Sequence, residues 1–351
     1  MSAEALFLGE GARSDARVWM RGVSLGRRLV LVSEPVVSRR YGRGVQAALS
    51  RAGFTVMRHL LPSAEAAKSW TAVESLLVAM YRGGLGRDAA LVALGGGGVT
   101  DAAGFAAAVY LRGIPWVSMP TTLLGQLDSG HGGKTGINLA GGKNIVGAFH
   151  RPSAVVCDPD VLRSLPPRER VSGLGEALKY GLAFDPPLWR WMRREWGALR
   201  RGDPEPTAEV VRRGVAWKRR IVALDPRETE GPRELLNFGH TLGHALESAS
   251  GPGVLRHGEA VIWGMRAALR LSVRSAGLSE SESAQADRFL ASIPVPKPLR
   301  VDPRRLLDAV RRDKKSREGS VRFVLLRSWG RAVVRPVSER SILAVTRELF
   351  A

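Results

Sequence analysis

Three of the chain's six histidines fall within eighteen residues: His240, His244 and His257. His240 and His244 lie four apart in Asn237-Phe-Gly-His-Thr-Leu-Gly-His-Ala-Leu-Glu247, so on a helix they share one face. Imidazoles so placed suit a divalent metal, and a carboxylate from elsewhere would complete the set. Thr241 stands where an H-E-x-x-H site carries its glutamate, which excludes that protease chemistry. Glu176, in Gly173-Leu-Gly-Glu-Ala-Leu-Lys-Tyr-Gly181, is a candidate carboxylate. It lies three residues from Lys179 among small and apolar neighbours, where a carboxylate favours a cation. The same residues also read as hydrogen-bonded structural histidines and a surface i,i+3 ion pair.

A second set is built on glycine. Leu94-Gly-Gly-Gly-Gly98 follows an apolar run and precedes a helical pattern beginning near Asp101, a junction where backbone N–H groups can approach a pyrophosphate. The spacing is not G-x-G-x-x-G, and a tight packing turn is the other reading. Pro120-Thr-Thr122 could present hydroxyls to the same ligand. Asp128-Ser-Gly-His-Gly-Gly-Lys134-Thr-Gly-Ile-Asn138, then Gly142-Lys143-Asn144, read as a mobile loop whose lysines suit phosphate or carboxylate oxygens. It lacks the first glycine of a Walker A loop, so a P-loop nucleotidase is excluded. Only eight lysines stand among 45 arginines, and most adjoin these motifs, as expected where a compact, movable ammonium is needed.

The elements that must position these residues divide the 351-residue chain. Apolar runs at 29–32, 54–57, 89–94, 116–119 and 154–156 alternate with helical patterns near 40–52, 64–83 and 100–111, which predicts a parallel sheet covered on both faces. Beyond Leu165 the pattern is mostly helical, with a late hairpin over 321–326 and 332–334. The expected fold class is therefore an α/β dinucleotide-binding domain over 1–160 and an α-helical metal- and substrate-binding domain over 161–351. An apolar fraction of 44% suffices for two cores and rules out disorder. The start of the chain does not read as a signal peptide, and the apolar stretch 89–111 carries Asp101 and four glycines, so no membrane partner is expected. The lone Cys157 reads as a small buried hydrophobe, which fits a reducing cytoplasm. The net charge of +20 comes from arginines scattered along the chain, with only 6% aromatics. A nucleic-acid partner is therefore not expected, whereas small anionic substrates are.

In this order, the motifs resemble the 3-dehydroquinate synthase family of sugar phosphate cyclases, over about Leu29 to Lys315. The most specific parts are Asp128–Asn138, Gly142–Phe149, Gly173–Gly181 and Leu235–Glu247 with His257-Gly-Glu259. The resemblance implies metal ligands at Glu176, His240 and His257, with zinc or cobalt as the metal and His244 as a substrate contact. It implies NAD contacts at Glu65, Lys68, Gly95, Gly96, Gly97, Asp101, Thr121, Thr122, Asp128 and Lys143. It places substrate anions against Arg112, Lys134, Asn144, Lys179, Lys218, Arg233, Asn237 and Lys314, with Arg112 reaching across a homodimer. The implied reaction converts 3-deoxy-D-arabino-heptulosonate 7-phosphate into 3-dehydroquinate and phosphate by transient oxidation, phosphate elimination, re-reduction and aldol closure. Other sugar phosphate cyclases, such as an aminodehydroquinate synthase, and metal-dependent polyol dehydrogenases are the rival readings. Gly98, Thr100, Gly130, His131, His150, Ser33 and Pro35 depart from the usual family pattern.

Overall fold

The computed structural model describes residues 4–23, 26–140, 142–225, 231–251, 253–298, 302–313 and 320–350. They form two compact units, Met1–Pro166 with Gly202–Arg219, and Pro167–Arg201 with Arg220–Ala351. Among the described residues no helix is long and apolar enough to cross a membrane.

The first unit carries strands β1 (Ala5–Leu8), β2 (Arg28–Ser33), β3 (Thr55–Leu60), β4 (Ala90–Gly95), β5 (Trp116–Pro120), β6 (Lys134–Leu139), β7 (Gly142–Phe149) and β8 (Ala154–Cys157). Six of them make a parallel sheet in the order β1-β8-β5-β4-β2-β3. Consecutive residues of a strand face opposite sides. Accordingly Val30, Val32, Leu91 and Ala93 enter one core, and Leu29, Leu31, Ala90, Val92 and Leu94 the other. Because both faces are covered, these strands read as unbroken apolar runs. From β2 the chain steps out to β3, then returns to β4 on the opposite side of β2. That reversal leaves the carboxyl ends of β2 and β4 as the place where an open sheet of this kind binds a ligand.

The start of the chain adds β1, which the apolar runs did not mark, to the sheet edge. One expectation is corrected here: the segment read as a mobile glycine loop forms the antiparallel hairpin β6–β7. A Cβ on Gly147 would lie 2.2 Å from the Thr135 carbonyl oxygen, so the two strands close only with glycine there. The glycines that allow this pairing are also what erase the alternating pattern.

The second unit is helical, with one hairpin of β9 (Ser320–Ser328) and β10 (Arg331–Ser338). Helices Pro167–Ala183, His240–Ala249 and His257–Ser275 cross with their backbones nearly touching. A Cβ on Gly258 would sit 1.8 Å from the Ser172 carbonyl oxygen, and one on Gly264 would sit 1.8 Å from that of Gly239. Small residues at these crossings let the helices approach far closer than ordinary packing allows. Three of the crossing glycines lie beside residues of interest: Gly175 before Glu176, Gly239 before His240, and Gly258 after His257.

Candidate active site

In the second unit the Glu176 carboxylate is fully buried, and one of its oxygens meets two imidazoles. Oε1 is 3.0 Å from His257 Nε2 and 3.2 Å from His240 Nε2. His240 Nδ1 faces the Phe238 carbonyl at 3.2 Å, and His257 Nδ1 faces the Glu247 carboxylate at 3.4 Å. Both outer partners accept hydrogen bonds, so each Nδ1 carries a hydrogen and each Nε2 faces Glu176 Oε1; between its two carboxylates the His257 ring keeps a second proton, its pKa pushed up to about 10 against burial, and a bound divalent ion would take that proton's place. The lone pair of the neutral His240 ring and the Glu176 oxygen repel at such a distance unless a cation lies between them. Ligands bound at about 2.0–2.2 Å from one metal are about 3.0–3.4 Å apart, which is the spacing seen. The residues therefore fit a divalent ion, and the outer hydrogen bonds orient them as metal-binding histidines require.

The surroundings reinforce this. Burial would raise the Glu176 carboxyl, yet the Lys179 ammonium and His240 hold it well below the usual carboxylate range. Lys179 pairs with Glu176, is 1% exposed, and lies 4.7 Å from the Tyr180 ring centre. This is a buried pair and not the surface pair that the spacing alone allowed. Burial pushes His240 down to about 4, overriding Glu176, which keeps the ring neutral at physiological pH. The nitrogens of His240, His244 and His257 lie within 4.8 Å of one another, so His244 stands at the edge of the same group. Arg233 is buried on a 3-10 turn, Pro232–Asn237, and Asp225 accepts the backbone N–H groups of Gly231 and Arg233. Asn237 ends that turn and is half-buried, and Lys314 lies outside the described residues.

The first unit joins four of its candidates, Glu65, Lys68, Asp101 and Asn144, in one network. Lys68 Nζ donates to Asp101 Oδ2 at 2.8 Å and to Asn144 Oδ1. The Asn144 N–H donates to Asn138 Oδ1 at 2.9 Å, and Asn138 Nδ2 donates to Glu65 Oε1 at 2.7 Å. Burial raises Asp101 to about 6 against the pull of Lys68. Asn144 thus sits with the expected NAD residues although its expected partner is substrate. Lys218 Nζ meets Asp128 Oδ1 at 2.7 Å, again joining one residue from each expected set. Gly95 ends β4, and Gly97 opens helix Gly97–Val109 at the ligand end of the sheet, where backbone N–H groups point outward. A Cβ on Gly98 would lie 2.1 Å from the Ala64 carbonyl oxygen, so the fourth glycine is there for packing. The Thr121 N–H donates to the Gly95 carbonyl, and Thr122 Oγ1 accepts from the Gly125 N–H. Lys134 and Lys143 are exposed on the β6–β7 hairpin. Arg112 is exposed on a tip where Leu111 and Arg112 take φ of 48° and 67°.

Sequence reasoning missed Asn138, Asp225 and Glu247 as supporting residues. Glu247 was legible as the third position of the i, i+4, i+7 face that starts at His240.

Residues 58–172 match the family described as 3-dehydroquinate synthase N-terminal, and residues 173–316 match 3-dehydroquinate synthase C-terminal. The 3-dehydroquinate synthase of Bordetella pertussis is 43% identical over 90% of this chain and 88% of its own length. A solved 2-epi-5-epi-valiolone synthase of Streptomyces hygroscopicus subsp. jinggangensis 5008, with NAD+ and Zn2+ bound, superposes with a TM-score of 0.88 at 29% identity, covering 99% of this chain and 97% of that one. A 2-deoxy-scyllo-inosose synthase complexed with carbaglucose-6-phosphate, NAD+ and Co2+ also superposes with a TM-score of 0.88, at 25% identity over 98% of this chain and 96% of that one. On these matches, the chain belongs to the 3-dehydroquinate synthase family.

Proposed function

We propose that this chain converts 3-deoxy-D-arabino-heptulosonate 7-phosphate into 3-dehydroquinate and phosphate as a lyase that uses NAD and a divalent metal. The observation that carries the reading is the buried Glu176 oxygen facing two imidazole nitrogens with Lys179 beside it. When bound, NAD takes up and returns the substrate's hydride, and a zinc or cobalt ion supplies Lewis acidity.

The chain's own groups bind and orient. Glu176, His240 and His257 are the metal ligands, and Glu247 fixes the ring of His257. Lys134, Asn144, Lys179, Lys218, Arg233, Asn237, His244 and Lys314 hold substrate oxygens. Separate cations for a carboxylate and a phosphate fix one substrate geometry through several steps. Glu65, Lys68, Gly95, Gly96, Gly97, Asp101, Thr121, Thr122, Asp128 and Lys143 hold NAD. The departing phosphate can itself accept the proton lost during its elimination, so few dedicated bases are needed.

The working form is a homodimer in which Arg112 reaches the neighbouring subunit. Two consecutive left-handed, non-glycine residues cost on the order of 1–3 kcal/mol each, strain that an exposed tip carries when it has a task. The buried, unpaired thiol of Cys157 supports a cytoplasmic setting. Purified protein given NAD+, zinc or cobalt and the heptulosonate phosphate is expected to release phosphate and form 3-dehydroquinate with no net NADH. Accumulating NADH would instead assign a polyol dehydrogenase.

A further inference from the structure

His131 departs from the family pattern, and the structure gives it a task. Its ring is buried in the first unit at 3% exposure, in the turn that leads to Lys134. Nε2 lies 2.8 Å from the Gln126 carbonyl oxygen, and Nδ1 lies 3.1 Å from Glu4 Oε1. A carbonyl and a carboxylate only accept hydrogen bonds, so both ring nitrogens must carry hydrogen and the ring is an imidazolium. The other Glu4 oxygen accepts the Gly132 N–H at 3.2 Å, which makes the carboxylate a bridge across His131 and Gly132.

The turn is pinned on its other sides as well. The Gly130 N–H donates to the Gly125 carbonyl and the His131 N–H to the Asp128 carbonyl. Gly133, at φ 68°, is pressed so closely on Arg151 that a Cβ would lie 2.6 Å from its Cα. The Glu4 carbonyl accepts from Arg219 Nη2 at 2.9 Å, and the adjacent Lys218 pairs with Asp128, three residues before His131. The groups facing the ring are thus Glu4, preceding β1, and Cys157 of β8, whose Sγ is 3.8 Å from Nε2. Arg219, Lys218 and Asp128 stand one contact further out. Burial alone would lower the His131 pKa, but hydrogen bonds with Cys157 and Glu4 push it up to about 10.

We infer that Glu4 and the His131 imidazolium form a charged clasp that fixes the Gly132–Lys134 turn, and that both act as positioning residues for the Lys134 ammonium. The inference rests on the reading of Lys134 as a substrate cation. An uncharged hydrophobe at 131 cannot take the Glu4 charge, so in this chain the segment before β1 becomes part of how the lysine is held.

Glu4→Gln keeps the shape and removes the charge. It is expected to raise KM for the heptulosonate phosphate about tenfold while leaving kcat and NAD affinity within about twofold, with His131→Gln behaving alike. The double variant is expected to be no worse than either single one. Nitrogen-15 spectra of the ring in the whole protein should show the doubly protonated form up to pH 8, and Glu4→Gln should lose it. A neutral His131 ring at pH 7, or an unchanged KM in both folded single variants, overturns the clasp. If Lys134→Ala leaves KM unchanged, the substrate reading of Lys134 is at fault, and the spectra still decide the clasp.

Discussion

Glu176, His240 and His257 come from buried helices of the second unit, whereas Lys134, Lys143 and Asn144 stand exposed on the β6–β7 hairpin of the first, and Arg112 on an exposed 3-10 tip. The helical set is held by backbone contact at glycine crossings, so its geometry is fixed by packing. The exposed set is held by hydrogen bonds and by residues in left-handed conformations, Arg112 and Asn144 among them. Metal ligation tolerates little displacement and suits the first construction. Flexible anionic ligands that bind and leave suit the second.

Three substitutions break or sharpen this contrast. Gly258→Ala drives a Cβ into the Ser172 carbonyl, so it should cost about 3 kcal/mol or more of stability and release the metal, read by denaturant melts and metal stoichiometry. Wild-type stability with full metal content would show that the crossing does not set the ligand geometry. Lys179→Arg keeps the charge but must fit a planar fork between Glu176 and the Tyr180 ring. A loss in kcat/KM of about tenfold to a hundredfold is expected, and unimpaired catalysis would remove the need for a compact ammonium.

The smallest effect belongs to the exposed set's network. Asp101 is raised from 3.8 to about 6, so the fold favours its protonated form. That contribution is complete below the unfolded pKa and is lost as pH rises through about 6. Relative to Asp101→Asn, the unliganded wild type should therefore lose about 1–2 kcal/mol between pH 4 and pH 7, measured by paired thermal melts. A pH-independent difference would mean that Lys68 fully compensates the carboxylate.

Much of this was legible before any coordinates. The four central strands, β2, β4, β5 and β8, announced themselves as apolar runs because both sheet faces are covered, and His240 and His244 announced themselves by helical spacing. The β6–β7 hairpin was not legible, because the glycines that permit its close pairing carry no hydrophobic pattern. The partnership of Glu176 with histidines 64 and 81 residues away was not visible from spacing either, since it is made by helix crossings. Nor could the role of Glu4 be read, because an acidic residue near the start of the chain has no local partner to mark it.

The most direct measurement is anomalous diffraction at the zinc or cobalt absorption edge from crystals of the metal-loaded protein. The account predicts one peak bonded to Glu176 Oε1, His240 Nε2 and His257 Nε2 at about 2.0–2.2 Å. A peak bonded to His240, His244 and His257, with Glu176 left on Lys179 alone, would contradict it.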